Sequence, residues 1–185
     1  MTISPTIDYD LMLSLNGDLG AFMDNFMWCS SSKLATVPLS LFALIVITRR
    51  YGWKQLLISA VIIGLMILVA DQTCNFFKDN VSRLRPTRTP ELEGLLHTVN
   101  GYMGGTYGTV SAHAANSIAV LGFCALVVSN QIYTLLTVLT CIAICYSRIY
   151  LGVHFPLDIM WGTILGCTIA YIAYRIFKSF TPKAN

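Results

Sequence analysis

Ser147-Arg148-Ile149-Tyr150-Leu151-Gly152-Val153-His154-Phe155-Pro156-Leu157-Asp158 lies between two apolar stretches near the C-terminus. A cation, an imidazole and a carboxylate thus fall where a lipid-embedded chain least tolerates idle polar groups, and such residues mark function by default. Arg148 closes one expected span, His154 occupies the connection and Asp158 opens the next, so the three can converge at the membrane surface. Asp158 follows His154 by one helical turn if the connection is tight. Its carboxylate can then hold one imidazole N–H and leave the other ring nitrogen free to attack. The combination points to phosphate chemistry.

The surrounding chain has 185 residues, 55% of them hydrophobic and only 11% charged, with a mean hydropathy of +0.65. These values exclude an ordinary soluble domain. The expected fold is all-α: a polytopic transmembrane helical bundle of five spans plus an N-terminal interfacial helix, forming one membrane-embedded domain over residues 1–185. The N-terminus lacks the pattern of a removable signal peptide. Cys29, Cys74, Cys124, Cys141, Cys145 and Cys167 show no CxxC pair and no histidine cluster, so they read as small hydrophobes rather than metal ligands or disulfides.

Asp8 to Asp18 carries Leu11, Leu15 and Leu19 at helical spacing beside three aspartates, suited to lying along a bilayer. The first crossing is expected to begin near Asn25 and run to Thr48, with Pro38 as a kink. Gln55 to Phe77 is the second span, ending in a polar stripe of Asp71, Asn75 and Lys78. Lys78 to Val110 is an irregular external segment rich in glycine. Ser111 to Ser129, Ile132 to Tyr150 and Leu157 to Phe177 complete the five.

With five crossings, the ends of spans two and four share a face with the starts of spans three and five. The opposite face receives Arg49, Arg50, Lys54, Arg175, Lys178 and Lys183 and no acid. By the positive-inside rule that cationic face is cytoplasmic. The polar motifs then look outward, into the periplasm of a Gram-negative inner membrane or to the cell exterior.

Two further clusters share the motif face. In Lys78-Asp-Asn-Val-Ser-Arg83-Leu-Arg85-Pro86, a point charge and a planar fork of donors suit a phosphate, though taken alone the cluster reads first as surface basics touching lipid head groups. Arg83 and Arg88 take the latter reading. In Val110-Ser111-Ala112-His113, a helix N-terminus would aim N–H groups at an anion and His113 could lend a proton. Ser111 as a plain N-cap and His113 as an interfacial ring fit that stretch as well.

Together, in this order, the three clusters resemble the type 2 phosphatidic-acid phosphatase superfamily, whose signature is K-x6-R-P, then P-S-G-H, then S-R-x5-H-x3-D. The resemblance implies six helices, a metal-independent mechanism with no cofactor, and a phosphohistidine intermediate. Residue by residue it makes His154 the nucleophile, Asp158 the group that orients it, and His113 the acid that protonates the leaving oxygen and later the base that activates water. Lys78, Arg85, Arg148, Ser111 and the N–H groups around Ser111 and Ala112 would clamp the phosphoryl oxygens. Val110 and Ala112 depart from the signature's proline and glycine, and a positive φ at Ala112 would conflict with its methyl.

The resulting expectation is an integral membrane phosphatase taking a terminal phosphate from a lipid phosphate or pyrophosphate. Polyprenyl pyrophosphate leads the candidates, followed by lipid A phosphates and phosphatidylglycerophosphate. A lipid phosphotransferase and a non-catalytic lipid-phosphate binder or transporter are the alternatives. The expected partners are the bilayer and the lipid substrate, with no nucleic acid, and the oligomeric state is left open. Asp71 either orients the phosphate clamp or makes a contact within the bundle, Gly162 and Gly166 mark close helix packing, and His97 reads as a loop histidine. The segment from Glu91 to Gly108 is a lid, a head-group selector or an idle loop.

Overall fold

Small residues set the centre of the fold. Ala114, Ala115, Ala119, Gly122 and Ala125 recur through the stretch after Ser111, which forms helix α5 (Ala112–Val128) with eleven of its seventeen residues buried. The computed structural model describes residues 5–181, so Lys183 lies outside the described residues. The other helices are α1 (Pro5–Leu15), α2 (Ala21–Ser30), α3 (Val37–Tyr51), α4 (Trp53–Val81), α6 (Gln131–Tyr150) and α7 (Pro156–Phe180). Short 3-10 turns cover Lys33–Thr36, Pro86–Arg88 and Pro90–Leu92.

Four segments are long and apolar enough to cross a membrane: Lys33–Tyr51, Trp53–Val81, Gln131–Tyr150 and Pro156–Phe180. The expected count of five spans is therefore corrected to four. The stretch read as a third span is α5, which at 1.5 Å per residue reaches only about 25 Å, short of a hydrocarbon core of about 30 Å. Its apolar character has another cause. α5 is surrounded by α3, α4, α6 and α7, and a helix that is apolar on every side is one buried on every side. The lipid-facing helices instead expose Leu41, Phe42, Leu57, Val61, Leu65, Leu135, Leu139, Ile142, Ile164 and Ile172 on their outer surfaces. The chain is an integral membrane protein.

The first crossing also begins later than expected. The chain turns at Ser31 and Ser32, and the Ser32 hydroxyl accepts the Leu34 N–H to start the 3-10 turn that leads into α3. Asn25 belongs to the separate helix α2. Pro38 sits in the first turn of α3, where its missing N–H breaks no helical bond, so it starts the helix rather than kinking it. The expected interfacial helix ends at Leu15, before Asp18. Leu11 and Leu15 are exposed on α1, whereas Asp8 and Met12 are buried against the bundle. Seven α-helices among the described residues thus replace the expected six.

α5 and α7 pack closest. A Cβ on Gly162 would stand 2.7 Å from the Ser111 carbonyl oxygen, and one on Gly166 2.7 Å from that of Ala115. These glycines serve helix packing within the bundle, as their spacing predicts. α5 begins where the Ser111 N–H donates to the Asp158 carbonyl at 3.0 Å. It ends where the Arg50 guanidinium of α3 donates to the Val128 carbonyl at 2.9 Å. The start of α4 meets the end of α7 at that same far end through Gln55 and the Phe180 carbonyl. All three polar clusters therefore share the opposite end of the bundle. Six free cysteines are present, two buried, two intermediate and two exposed.

Candidate active site

The connection after α6 is built to return on itself. The helix closes at Tyr150, and the N–H groups of Val153 and His154 both fold back to the Arg148 carbonyl, at 3.1 and 3.2 Å. This fixes the spacing between arginine and histidine. His154 is only 2% exposed, and its Nδ1 lies 3.2 Å from Asp158 Oδ2. The same carboxylate oxygen accepts the Phe155 N–H at 3.1 Å, as an acid in a helix's first turn does. Burial, reinforced by Arg85, Arg148, Lys78 and His113, holds the His154 imidazole well below its ordinary value of 6.5. The ring is therefore neutral near pH 7, with Nδ1–H directed to Asp158 and the Nε2 lone pair free.

His154 lines a cleft of about 320 Å³ whose walls also include Lys33, Asp71, Lys78, Arg85, Ala112 and His113. Lys78 comes from the last turn of α4, and its ammonium donates to Asn75 Oδ1 at 3.4 Å. Arg85 sits in the extended segment after α4, its Nε donating to the Tyr107 carbonyl at 3.0 Å. The glycine-rich loop lies directly on it: a Cβ on Gly104 (φ +66°) would meet Arg85 Nη1 at 2.7 Å, and one on Gly108 would meet His154 Nδ1 at 3.3 Å. Side chains there would push the loop off both residues.

Arg148, in the last turn of α6, is 2% exposed and, unlike Lys78 and Arg85, is buried beside the cleft rather than lining it. Its Nε has no hydrogen-bond partner among the described residues, and its guanidinium carbon stands 5.9 Å from the Tyr102 ring centre. No carboxylate lies within ion-pair distance of Lys78, Arg85 or Arg148 among the described residues. Three cations held around one neutral imidazole without acidic partners match the demands of a phosphoryl group, whose oxygens need several donors at once.

The second cluster divides between its two readings. Ser111 is fully buried, its hydroxyl accepts the Ala114 N–H as an N-cap, and its own N–H is committed to Asp158. It does not line the cleft, so its N–H is not among the phosphate donors that were expected. Ala112 and His113 do line it, and the first N–H groups of α5 have no helical acceptor. Ala112 is helical and absent from the residues with positive φ. Its methyl therefore conflicts with nothing in the backbone.

Several residues carry more than their sequence reading gave them. Arg83, expected as a surface basic, donates to Asp158 Oδ1 at 3.3 Å and forms an ion pair with Asp8 of α1. Asn16, after α1, donates to the Ile149 and Tyr150 carbonyls at 3.0 and 2.8 Å and so caps the end of α6. His97 is no idle loop residue: its Nε2 lies 2.9 Å from Asp24 of α2, and its ring packs edge-on against Tyr150. No spacing in the sequence connects these partners. Asp71 accepts from Asn116 at 2.7 Å rather than reaching Lys78, which is the contact-within-the-bundle reading.

The chain as a whole resembles known proteins. Residues 56–182 match the family model described as the PAP2 superfamily. The chain is 36% identical over 180 residues to a lipid A 4'-phosphatase of Bacteroides thetaiotaomicron, covering 96% of this chain and 80% of that protein. It is 33% identical over 173 residues to a lipid A 4'-phosphatase of Porphyromonas gingivalis, covering 92% and 73%. The crystal structure of the PAP2-type phosphatidylglycerolphosphate phosphatase from Bacillus subtilis superposes with a TM-score of 0.73 at 15% identity, covering 97% of this chain and 88% of that one, a likeness of fold. The chain belongs to the PAP2 superfamily and is a membrane lipid phosphate phosphatase.

Proposed function

We propose that the chain hydrolyses a phosphate monoester on a lipid A-type glycolipid through a phosphohistidine at His154. The supporting observation is the neutral His154 imidazole, backed by Asp158, with Lys78 and Arg85 on the same cleft and Arg148 buried near enough to act on the ring, none of the three paired with a carboxylate among the described residues. Nε2 attacks phosphorus and the bond to the leaving oxygen breaks, with His113 giving that oxygen its proton. Burial and the nearby Arg148, Lys33, Arg85 and Lys78 hold the His113 imidazole down to about 4, so it first takes up that proton from the bound phosphate monoanion, whose charge offsets the cations. His113 then takes a proton from water, the water oxygen attacks phosphorus, the P–N bond breaks and inorganic phosphate departs. Lys78, Arg85 and Arg148, with the first N–H groups of α5, hold the equatorial oxygens throughout. Asp158 keeps Nδ1–H in place and stabilises the ring as it becomes positive. The three cations supply the charge that a metal ion would otherwise bring, so no metal is needed.

The two relatives aligned along most of the chain both act on lipid A, which moves that substrate ahead of polyprenyl pyrophosphate and phosphatidylglycerophosphate. The end of the bundle opposite the site carries Arg49, Arg50, Lys54, Arg175 and Lys178, which favours a site facing away from the cytoplasm. There it meets lipid by lateral diffusion. The test is phosphate release from a panel of lipid A, polyprenyl pyrophosphate and phosphatidylglycerophosphate in detergent with a chelator and no acceptor lipid. The reading expects release that is fastest from lipid A. Release only when an acceptor lipid is added would make the protein a transferase.

A further inference from the structure

We propose that Asp8 and Arg83 are positioning residues for the reaction, and that the N-terminal helix α1 is thereby part of the catalytic apparatus. The inference rests on His154 being the nucleophile. Asp158 presents two oxygens, and each is engaged. Oδ2 faces His154 and the Phe155 N–H, while Oδ1 accepts from Arg83 Nη1 at 3.3 Å. The other arm of the same guanidinium, Nη2, pairs with Asp8 Oδ2. Asp8 is in turn fixed by the Leu157 N–H, which donates to its Oδ1 at 3.2 Å. The carboxylate that orients the imidazole is thus itself held by a forked cation, and that cation is anchored by a carboxylate from the far end of the chain.

The packing around this chain of contacts leaves it little freedom. Asp8 and Asp158 are each about 1% exposed, and Arg83 is partly covered. The Arg83 guanidinium carbon lies 4.0 Å from the centre of the Phe155 ring. Tyr9, next to Asp8, stacks on the same Phe155 ring with ring centres 5.2 Å apart. Arg83 is placed by backbone bonds as well, because its carbonyl accepts the Gly108 N–H at 2.8 Å, beside the Leu84 and Tyr107 bridge. A guanidinium suits the task because its planar fork reaches two carboxylates at once, which a lysine ammonium on a flexible stem does not. Two acids and one base share the net charge, so the pair of carboxylates is kept from mutual repulsion only while Arg83 sits between them.

Neither residue lines the cleft, so their effect on rate runs through Asp158. The experiment compares Arg83→Gln, Arg83→Lys, Asp8→Asn and the double variant Asp8→Asn/Arg83→Gln with the wild type in detergent. It reads kcat, KM and inhibition by inorganic phosphate, which the Lys78, Arg85 and Arg148 cations hold. The expected result for Arg83→Gln is a fall in kcat of roughly 10- to 100-fold, the scale on which groups behind a working ligand act, with the phosphate inhibition constant changed far less. Arg83→Lys recovers part of the loss, Asp8→Asn loses less than Arg83→Gln, and the double variant is no slower than Arg83→Gln alone. The inference is overturned if Arg83→Gln keeps wild-type kcat, if the double variant's losses multiply, or if phosphate inhibition collapses in step with kcat, which would mean general misfolding. Covalent labelling of wild-type His154 separates the two readings: labelling with unchanged Arg83 variants sinks this inference alone, and absence of labelling sinks the nucleophile assignment beneath it.

Discussion

The Ser111 N–H donates to the Asp158 carbonyl at 3.0 Å, joining the start of α5 to the start of α7. His113 and His154 therefore owe their common cleft to the packing of two helices whose closest approach is set by Gly162 and Gly166.

That dependence is testable by adding one methyl group. Gly162→Ala would bring Cβ to 2.7 Å from the Ser111 carbonyl oxygen, an overpacking worth about 1–3 kcal/mol. Thermal inactivation in detergent should occur at a lower temperature, and kcat should fall because α5 is pushed from α7. Gly64→Ala is the control: its Cβ would meet nothing within 4 Å, so stability should hold or rise slightly with the better helix former. Equal behaviour of the two variants would mean that the α5 and α7 contact does not set the site.

Arg148 is the buried cation whose loss should be felt most. Arg148→Ala removes a guanidinium with an unpartnered Nε beside the neutral His154, and the expected cost is about 3 kcal/mol of transition-state stabilisation, or a hundredfold in kcat. Arg148→Lys should recover only part, because an ammonium lacks the planar fork. Steady-state kinetics decide it. Full activity in Arg148→Lys would reduce the role to simple charge.

The cations also set the expected response to chelators. If Lys78, Arg85 and Arg148 carry the phosphoryl charge, as proposed, phosphate release should be unchanged after exhaustive treatment with a divalent chelator. Loss of activity that added metal restores would refute the clamp.

His154 gives stability a pH dependence with a definite sign. Its folded-state value lies well below the ordinary 6.5, so between the two values the unfolded chain binds a proton that the folded chain refuses. Stability from this source is complete above about pH 6.5 and is lost as pH falls toward the folded value. Melting curves in detergent from pH 8 down to about 5 should show the wild type losing more stability than His154→Asn. Parallel curves would mean that the imidazole is not held neutral by its surroundings.

Much of the site was legible because its chemistry is written locally. His154 and Asp158 lie one turn apart across a tight connection, and that spacing carries the Nδ1 contact directly. Lys78 and Arg148 stand at helix ends that the apolar stretches delimit, and Arg85 follows the first of these by seven residues, so their shared end of the bundle follows from the alternating direction of successive helices. Asp8, Arg83, Asn16, Asp24 and His97 were beyond reach for the opposite reason. Arg83 stands 75 residues from each of its two acids, and no local pattern distinguishes an arginine bridging two carboxylates from one touching head groups. The third expected span proves to be a buried helix, because hydropathy reports that a side chain leaves water, not whether lipid or protein receives it. α5 is apolar for the sake of its neighbours. The start of the first crossing was misplaced because Ser30 to Ser32 form a turn that satisfies its polar groups locally.

The central claim is that phosphorus becomes bonded to His154. Rapid quenching of the enzyme in alkaline detergent during turnover of a ³²P-labelled lipid phosphate, followed by peptide mapping at alkaline pH, tests it most directly. The account predicts label on the peptide containing His154, labile to acid and stable to base, present in the wild type and lost in His154→Asn. Label on any other residue, or turnover that persists in His154→Asn, would contradict it.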